Sequence, residues 1–396
     1  MKVAFLTAGG IAPCLSASIG RLINNYAIKD QSIEMIGYLH GFKGLLLGES
    51  ISIPRSAINS IKVLYDFGGS PIGNSRVKLS NVDDCLKKQY IIEGEDPLEI
   101  AAKQLIKDEI DILHTIGGDD TNTTAGELVD YLSNNGYEIT VVGLPKTVDN
   151  DVYPIYQTLG AWTAAMQGAI FFENIVNENT TSSRQLIIHE IMGRNCGWLT
   201  AATALDYHQR LQNRDFLPSF LIEKERWDIH AIYIPEIKID IELECKRLKE
   251  LMDEKDCVNI FLSEGAGIDS IVNELEFNGE NVKRDAFGHV RLDEINPGHW
   301  FANKFSEKIS SDKVLVQKSG YFSRSAKANK KDLDLIFQSV DMAVDCALNS
   351  DSGVVGLDEN YGNELKCIDF QRIKGGKSFN VNLDWFQSLL KEINQI

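Results

Sequence analysis

The sequence predicts an α/β protein built on mainly parallel sheets and divided into two domains. Three observations carry that prediction. Short apolar runs alternate with longer helical stretches, a pattern that implies parallel strands joined by right-handed crossovers. A chain of 396 residues can bury a large core and fill two domains. Charged residues at 24% and hydrophobic residues at 43% suit a globular enzyme.

The elements follow in order. Val3-Ala4-Phe5-Leu6 reads as a first strand, Gly9-Gly10 as a turn and Leu15 to Ala27 as a helix. Glu34 to Tyr38 is the next strand. A helix from Pro97 to Lys107 leads into a strand over 110–116. Thr121 to Asn134 reads as a helix with Thr121 or Asn122 as its N-cap. Gly136 ends it, and a strand over 139–144 follows. A long helix covers about Ala161 to Asn177, and Gln185 to Ile191 is a strand. Trp198 to His208 is helical. Ala231 to Ile234 and Val258 to Leu262 are strands around a charged helix, Ile241 to Glu254. Val314 to Gln317 is the last strand, and Asp332 to Ala347 the last helix. From about Ser350 the apolar runs are short and scattered, and no element is assigned.

Charge and composition narrow the function. The net charge is −17, which sets the chain against nonspecific nucleic-acid binding. An anionic substrate must then be held by local basic residues. No apolar run is long enough to span a bilayer and no basic, Ser-rich presequence is seen, so a cytoplasmic location is expected. The seven cysteines, at 14, 85, 196, 245, 257, 346 and 367, are scattered without Cys-x-x-Cys or zinc spacing and read as reduced thiols. Cys14 reads as either a reactive thiol or a small packed residue.

Two runs carry the chemistry: Gly117-Gly118-Asp119-Asp120 and Pro145-Lys146-Thr147-Val148-Asp149-Asn150-Asp151. Each follows a strand, at the sheet edge where open α/β proteins bind ligands. Glycines let the backbone approach phosphate. A carboxylate can hold magnesium, a lysine can meet phosphate charge, and a further carboxylate can accept a proton. Asp119 is the best metal ligand, or else a carboxylate meeting only a helix dipole. Asp149 and Asp151 share one face if the chain is extended, or else flank an Asx turn. Met192-Gly193-Arg194 is a plain corner or an anion contact, and Glu264 a solvated carboxylate or an acceptor for sugar hydroxyls. Arg194 and Arg324 can grip a phosphate in bidentate fashion.

These runs resemble the phosphofructokinase family. Further blocks recur in the family order: Thr7 to Cys14, Gly68 to Arg76, Met192-Gly193-Arg194, Ser263-Glu264-Gly265, and Gly320-Tyr321-Phe322-Ser323-Arg324. The resemblance implies the phosphofructokinase fold, with two Rossmann-like three-layer αβα domains. Residues 1–155 with part of 310–396 would form the larger phosphate-donor domain, and 156–310 the smaller sugar-phosphate domain. The tail 350–396 is left without assigned packing. ATP-dependent members usually carry glycine where Asp120 and Lys146 stand, so this chain looks like the pyrophosphate-dependent branch. The implied reaction is magnesium-dependent, reversible phosphoryl transfer from pyrophosphate to fructose 6-phosphate. Its rivals are the same reaction with ATP, another Gly-Gly-Asp kinase, and a noncatalytic regulatory subunit. By resemblance Asp149 is the base, with Lys146 and Asp120 catalytic, and Asp119 holds the metal. Gly10 and Arg76 meet pyrophosphate. Thr147, Val148, Asp149, Met192, Gly193, Arg194, Glu264, Tyr321, Phe322, Ser323 and Arg324 bind the sugar phosphate. The family also implies a homodimer or homotetramer. The arginine that usually reaches across its interface is not clean here, and Arg184 is the nearest candidate.

Overall fold

The computed structural model describes residues 1–280, 282–283 and 295–396. The chain divides into two compact units, Met1–Thr163 with Arg324–Lys377, and Ala164–Ser323 with Ser378–Ile396. The boundaries of these units fall at 163/164, 323/324 and 377/378. The described strands are β1 (Lys2–Thr7), β2 (Glu34–Tyr38), β3 (Ser50–Ser52), β4 (Ile112–Gly117), β5 (Thr140–Pro145), β6 (Gln185–Ile191), β7 (Ala231–Tyr233), β8 (Cys257–Ser263), β9 (Lys313–Lys318), β10 (Gly353–Asp358) and β11 (Glu364–Ile368).

The first unit carries a seven-stranded sheet in the order β11-β10-β5-β4-β1-β2-β3. Its interior pairs are parallel, while β3 and β11 add antiparallel edges. Every residue of β4 is buried, because helices cover both faces of a parallel sheet. The helix Pro97–Lys107 that precedes it has Pro97 at its first position, and the Asp96 carboxylate accepts from Leu98 N at 3.0 Å. Helix Leu15–Lys29 lies along helix Lys330–Leu348. Arg21 grips Asp341 there through two 2.7 Å bonds.

The second unit carries a four-stranded parallel sheet in the order β7-β8-β6-β9. Helix Ile241–Lys255 covers it with a narrow apolar face. Only Cys245, Leu248 and Met252 of this helix are buried, at the spacing of one helical stripe. Asp240 caps its start and Asp256, in the left-handed region at φ +61°, ends it.

Two expectations need correction. The helix expected at Thr121 begins at Asp119, and its N-cap is Gly118, with no side-chain cap. Asn122 instead donates to the carbonyls of Gly117 and Gly118, at 3.0 and 2.9 Å, and so ties the helix to the end of β4. The helix expected to reach Asn177 stops at Ile175 and tightens into a 3₁₀ turn, Val176–Thr180. The unassigned tail is ordered structure. It supplies β10 and β11 to the first sheet and helix Asp384–Glu392 to the second unit. Within it, Asp358 is 0% exposed and is met by both terminal nitrogens of Arg372 at 2.7 and 3.1 Å. A buried carboxylate demands such a partner. No described helix is long and apolar enough to cross a membrane.

Candidate active site

In the first unit the sequence motifs converge at the C-terminal ends of adjacent strands. Register sets Thr7 beside Ile116 and Gly117 beside Pro145, so the loops after β1, β4 and β5 are neighbours. Thr7 clamps the 70–76 loop onto this edge, its hydroxyl reaching Ser70 Oγ, Gly73 O and Asn74 Oδ1 at 2.6–2.8 Å. Gly9 N donates to Ser75 O at 2.8 Å. Arg76 is thereby brought to the glycine turn. A Cβ on Gly10 would lie 3.8 Å from Arg76 Nη2 and 4.0 Å from Arg324 Nη1. Lys146 Nζ donates to Gly10 O at 2.7 Å, and a Cβ on Gly9 would stand 3.2 Å from that nitrogen. Gly9 itself has φ +81°, so the turn needs glycine on both counts. Lys146 is only 4% exposed, and burial, helped by Arg76, pushes its ammonium below its ordinary range. Cys14 is fully buried and burial raises its thiol pKa, so it is a packed residue and not a reactive one.

The loop after β5 positions the expected base. Thr147 Oγ1 accepts from Asp149 N and donates to Asp151 Oδ1, both at 3.1 Å. The chain is not extended here, as the face-sharing argument required. Asn150 has φ +56° and turns inward. Its amide oxygen accepts from Thr158 N at 2.8 Å, and its nitrogen donates to Tyr156 O at 3.1 Å. Val148 is buried beneath the loop. Asp149 and Asp151 are therefore set by an Asn-centred turn, with Asn150 as the anchor.

Asp119 opens the helix after β4. Burial and then the charge of Asp120 push its carboxyl above the ordinary range. Burial and then the charge of Asp119 do the same to Asp151. Asp120 is exposed and pairs with Lys78 Nζ at 2.7 Å. Among the described residues no group of three or more His, Cys, Asp or Glu could hold a metal unaided. Magnesium normally takes one or two carboxylates and completes its shell with substrate phosphate and water. Asp119, with Asp151 near enough to feel its charge, fits that pattern.

In the second unit, β8, β6 and β9 are adjacent and parallel, and each ends in a motif. Met192-Gly193-Arg194 follows β6, Glu264 follows β8 and Gly320–Arg324 follows β9. Glu264 N donates to Ile191 O at 2.8 Å, and the Glu264 carboxylate accepts from Gly193 N at 3.4 Å. Burial pushes the Glu264 carboxyl up, with Glu190 adding to the effect, while Gly193 N–H, Arg194 and Lys318 oppose it. Glu190 is buried and paired with Lys318 at 2.8 Å. Tyr321 is 78% exposed, and Phe322 packs on Phe171 with ring centres 5.7 Å apart. Ser323 is buried, and its N–H donates to Ser319 O at 2.8 Å. Arg324 ends the helix Gly320–Arg324 and falls in the first unit, beside Gly10. Arg184 is engaged within its own unit, with Asp253 Oδ1 at 2.9 Å and the carbonyls of Ile309 and Ser310.

The family model described as phosphofructokinase matches residues 2–344. The chain belongs to the phosphofructokinase family. It is 57% identical over 394 residues to a protein of Methylomonas methanica named pyrophosphate–fructose 6-phosphate 1-phosphotransferase, covering 100% of this chain and 96% of that one. A protein of the same name from Mastigamoeba balamuthi is 54% identical over 393 residues, covering 99% of this chain and 96% of its own. The crystal structure of a pyrophosphate-dependent phosphofructokinase from Marinobacter aquaeolei shares the fold, with a TM-score of 0.72 at 21% identity over 98% of this chain and 91% of that one.

Three residues around this candidate site were not singled out from the sequence. Lys78 carries no signal beyond being one lysine among many. Gly375 does carry one, the run Lys374-Gly375-Gly376-Lys377 in the tail. A Cβ on Gly375 would meet Asp119 Oδ2 at 1.8 Å. Asp332 is buried, and its carboxylate accepts from Gly160 N and Thr163 N at 3.1 and 2.6 Å, fixing the chain beyond Thr158.

Proposed function

We propose that the chain transfers a phosphoryl group from pyrophosphate to the 1-hydroxyl of fructose 6-phosphate, reversibly, giving fructose 1,6-bisphosphate and phosphate. One observation carries the choice of donor. Lys146 is buried against Gly10 O, and Asp120 stands at the opening of the Asp119 helix, where the ATP-dependent members of the family resemblance carry glycines. Lys146, Arg76 and Arg324 gather around one glycine turn and suit a compact diphosphate. Asp120 puts bulk and negative charge where a nucleotide would continue.

Phosphoryl transfer rests on positioning and charge stabilisation. Asp149, held through Thr147, accepts the proton of the sugar hydroxyl as it attacks. Lys146 meets the charge that grows on the departing phosphate. Magnesium, held by Asp119, supplies further charge neutralisation when bound. Arg194, Glu264 and Tyr321 hold the sugar phosphate. By the same reading the enzyme serves glycolysis and gluconeogenesis in the cytoplasm as a homodimer or homotetramer.

The test is turnover of fructose 6-phosphate with magnesium and either pyrophosphate or ATP. Pyrophosphate should give the higher kcat/KM, and chelation of magnesium should abolish activity. In Asp120→Gly the ATP affinity should rise, while Lys146→Gly should lose about 10²–10³ in kcat with pyrophosphate. A wild-type preference for ATP would overturn the donor assignment.

A further inference from the structure

We propose that the Lys374–Lys377 turn is a working wall of the donor site, in which Gly375 sets the position of the Asp119 carboxylate. This rests on the reading of Asp119 as the metal ligand. The stretch lies beyond residue 344, where the match to the family model ends, and the mechanism above does not use it.

The geometry is close. An ideal Cβ on Gly375 would stand 1.8 Å from Asp119 Oδ2, 2.7 Å from its Cγ and 3.1 Å from its Cβ. The carboxylate therefore rests on the bare α-carbon of Gly375. The turn cannot easily withdraw, because its backbone is fixed on both sides. Tyr153 and Lys374 exchange two backbone hydrogen bonds of 2.8 and 2.9 Å, and Lys377 N donates to Asp151 O at 2.9 Å. Lys377 Nζ donates to Ile155 O and lies 3.6 Å from Glu359. If a methyl group is added at Gly375, the Asp119 side chain is what must rotate away. One short turn thus supports the metal ligand on one side and the Asp149–Asp151 loop on the other. Gly375 acts through Asp119 and is a positioning residue.

The experiment is calorimetric titration of the full chain with magnesium pyrophosphate and, separately, with fructose 6-phosphate. Gly375→Ala should raise the Kd for magnesium pyrophosphate about 10–100-fold, the usual cost of disturbing a metal ligand's support, and leave the fructose 6-phosphate Kd unchanged. Gly376→Ala reports strain in the turn alone, since its added methyl meets nothing within 4 Å although its φ is +75°. It should weaken magnesium pyrophosphate less than Gly375→Ala. The inference is overturned if Gly375→Ala binds magnesium pyrophosphate like wild type, if Gly376→Ala loses as much, or if both ligands weaken together. Should Gly375→Ala not fold, Asp119→Ala removes the overlapping carboxylate. The double variant should then bind magnesium pyrophosphate no worse than Asp119→Ala alone, and an additive loss overturns the inference. If Asp119→Ala itself keeps wild-type affinity, it is the metal assignment that fails.

Discussion

The backbone on either side of Asp149 is held by its neighbours. Its backbone N–H is held by Thr147 Oγ1, and Asn150 turns the chain immediately after it. Removing the charge should therefore leave the loop standing. Asp149→Asn should lower kcat by about 10²–10⁴, the range for loss of a positioned general base, with the Kd for fructose 6-phosphate near that of wild type. Steady-state kinetics and calorimetry check the two halves separately. A kcat near wild type would remove Asp149 from the role of base. A large loss of sugar affinity would make it a binding residue instead. Lys146 offers a contrast at the same scale. Its ammonium is buried and already donates to Gly10 O. Burial holds its pKa down, so a bound anion gains more from it than from an exposed lysine.

At the scale of elements, the proposed sugar-binding side depends on three loops meeting at the ends of β8, β6 and β9. Gly265 is where two of them touch. A Cβ there would lie 1.7 Å from Arg194 O, a backbone atom that cannot rotate away. Gly265→Ala should push the Arg194 and Glu264 loops apart. We expect a KM for fructose 6-phosphate raised at least tenfold, with stability lowered by about 1–3 kcal/mol, the range for forced overpacking. Kinetics and urea unfolding measure these. An unchanged KM would separate the loop contact from sugar binding. The strands carrying these loops were legible in the sequence because buried parallel strands are mainly apolar runs bounded by glycine and polar turns, as in Gln185 to Ile191 and Val258 to Leu262, where His189, Glu190 and Asn259 are the polar interruptions. The start of the helix at Asp119 was not legible, because Thr121 and Asn122 look like caps while Gly118 does the capping. The tail was opaque for a different reason. β10 pairs with β5 across more than two hundred residues of sequence, and Asp358 finds Arg372 only once β10 and β11 are in place. No local pattern encodes such a pairing. The Lys374-Gly375-Gly376-Lys377 run was visible, but its meaning depends on Asp119 arriving from elsewhere in the chain.

At the scale of the whole molecule, three histidines make both units sensitive to acid. His114 in the first unit, and His189 and His230 in the second, are buried, and burial pushes each pKa down to about 3. Their unfolded value is about 6.5. Between those limits the unfolded chain binds protons that the folded chain refuses. The stability that goes with keeping these rings neutral is therefore full above about pH 6.5 and is lost progressively as pH falls towards the folded value. Each ring contributes a slope of up to about 1.4 kcal/mol per pH unit once its unfolded form is fully protonated. The raised carboxyls of Asp119, Asp151, Glu264 and Asp332 have the opposite sign. They take up protons more readily when folded, and so oppose the loss as pH falls. Against a total of about 5–15 kcal/mol for an ordinary domain, three such slopes are large enough to show in an acid titration. Urea midpoints measured at pH 7, 6 and 5 should fall steadily. His189 sits between the rings of Phe172 and Phe261 and bonds Ser319 Oγ at 2.7 Å, so His189→Gln should cost stability at pH 7. The same variant should show a shallower decline from pH 7 to pH 5, because one proton acceptor of the unfolded chain is gone. A wild-type midpoint that stays flat over this range, or a His189→Gln slope as steep as wild type, would show that these rings do not govern the acid response.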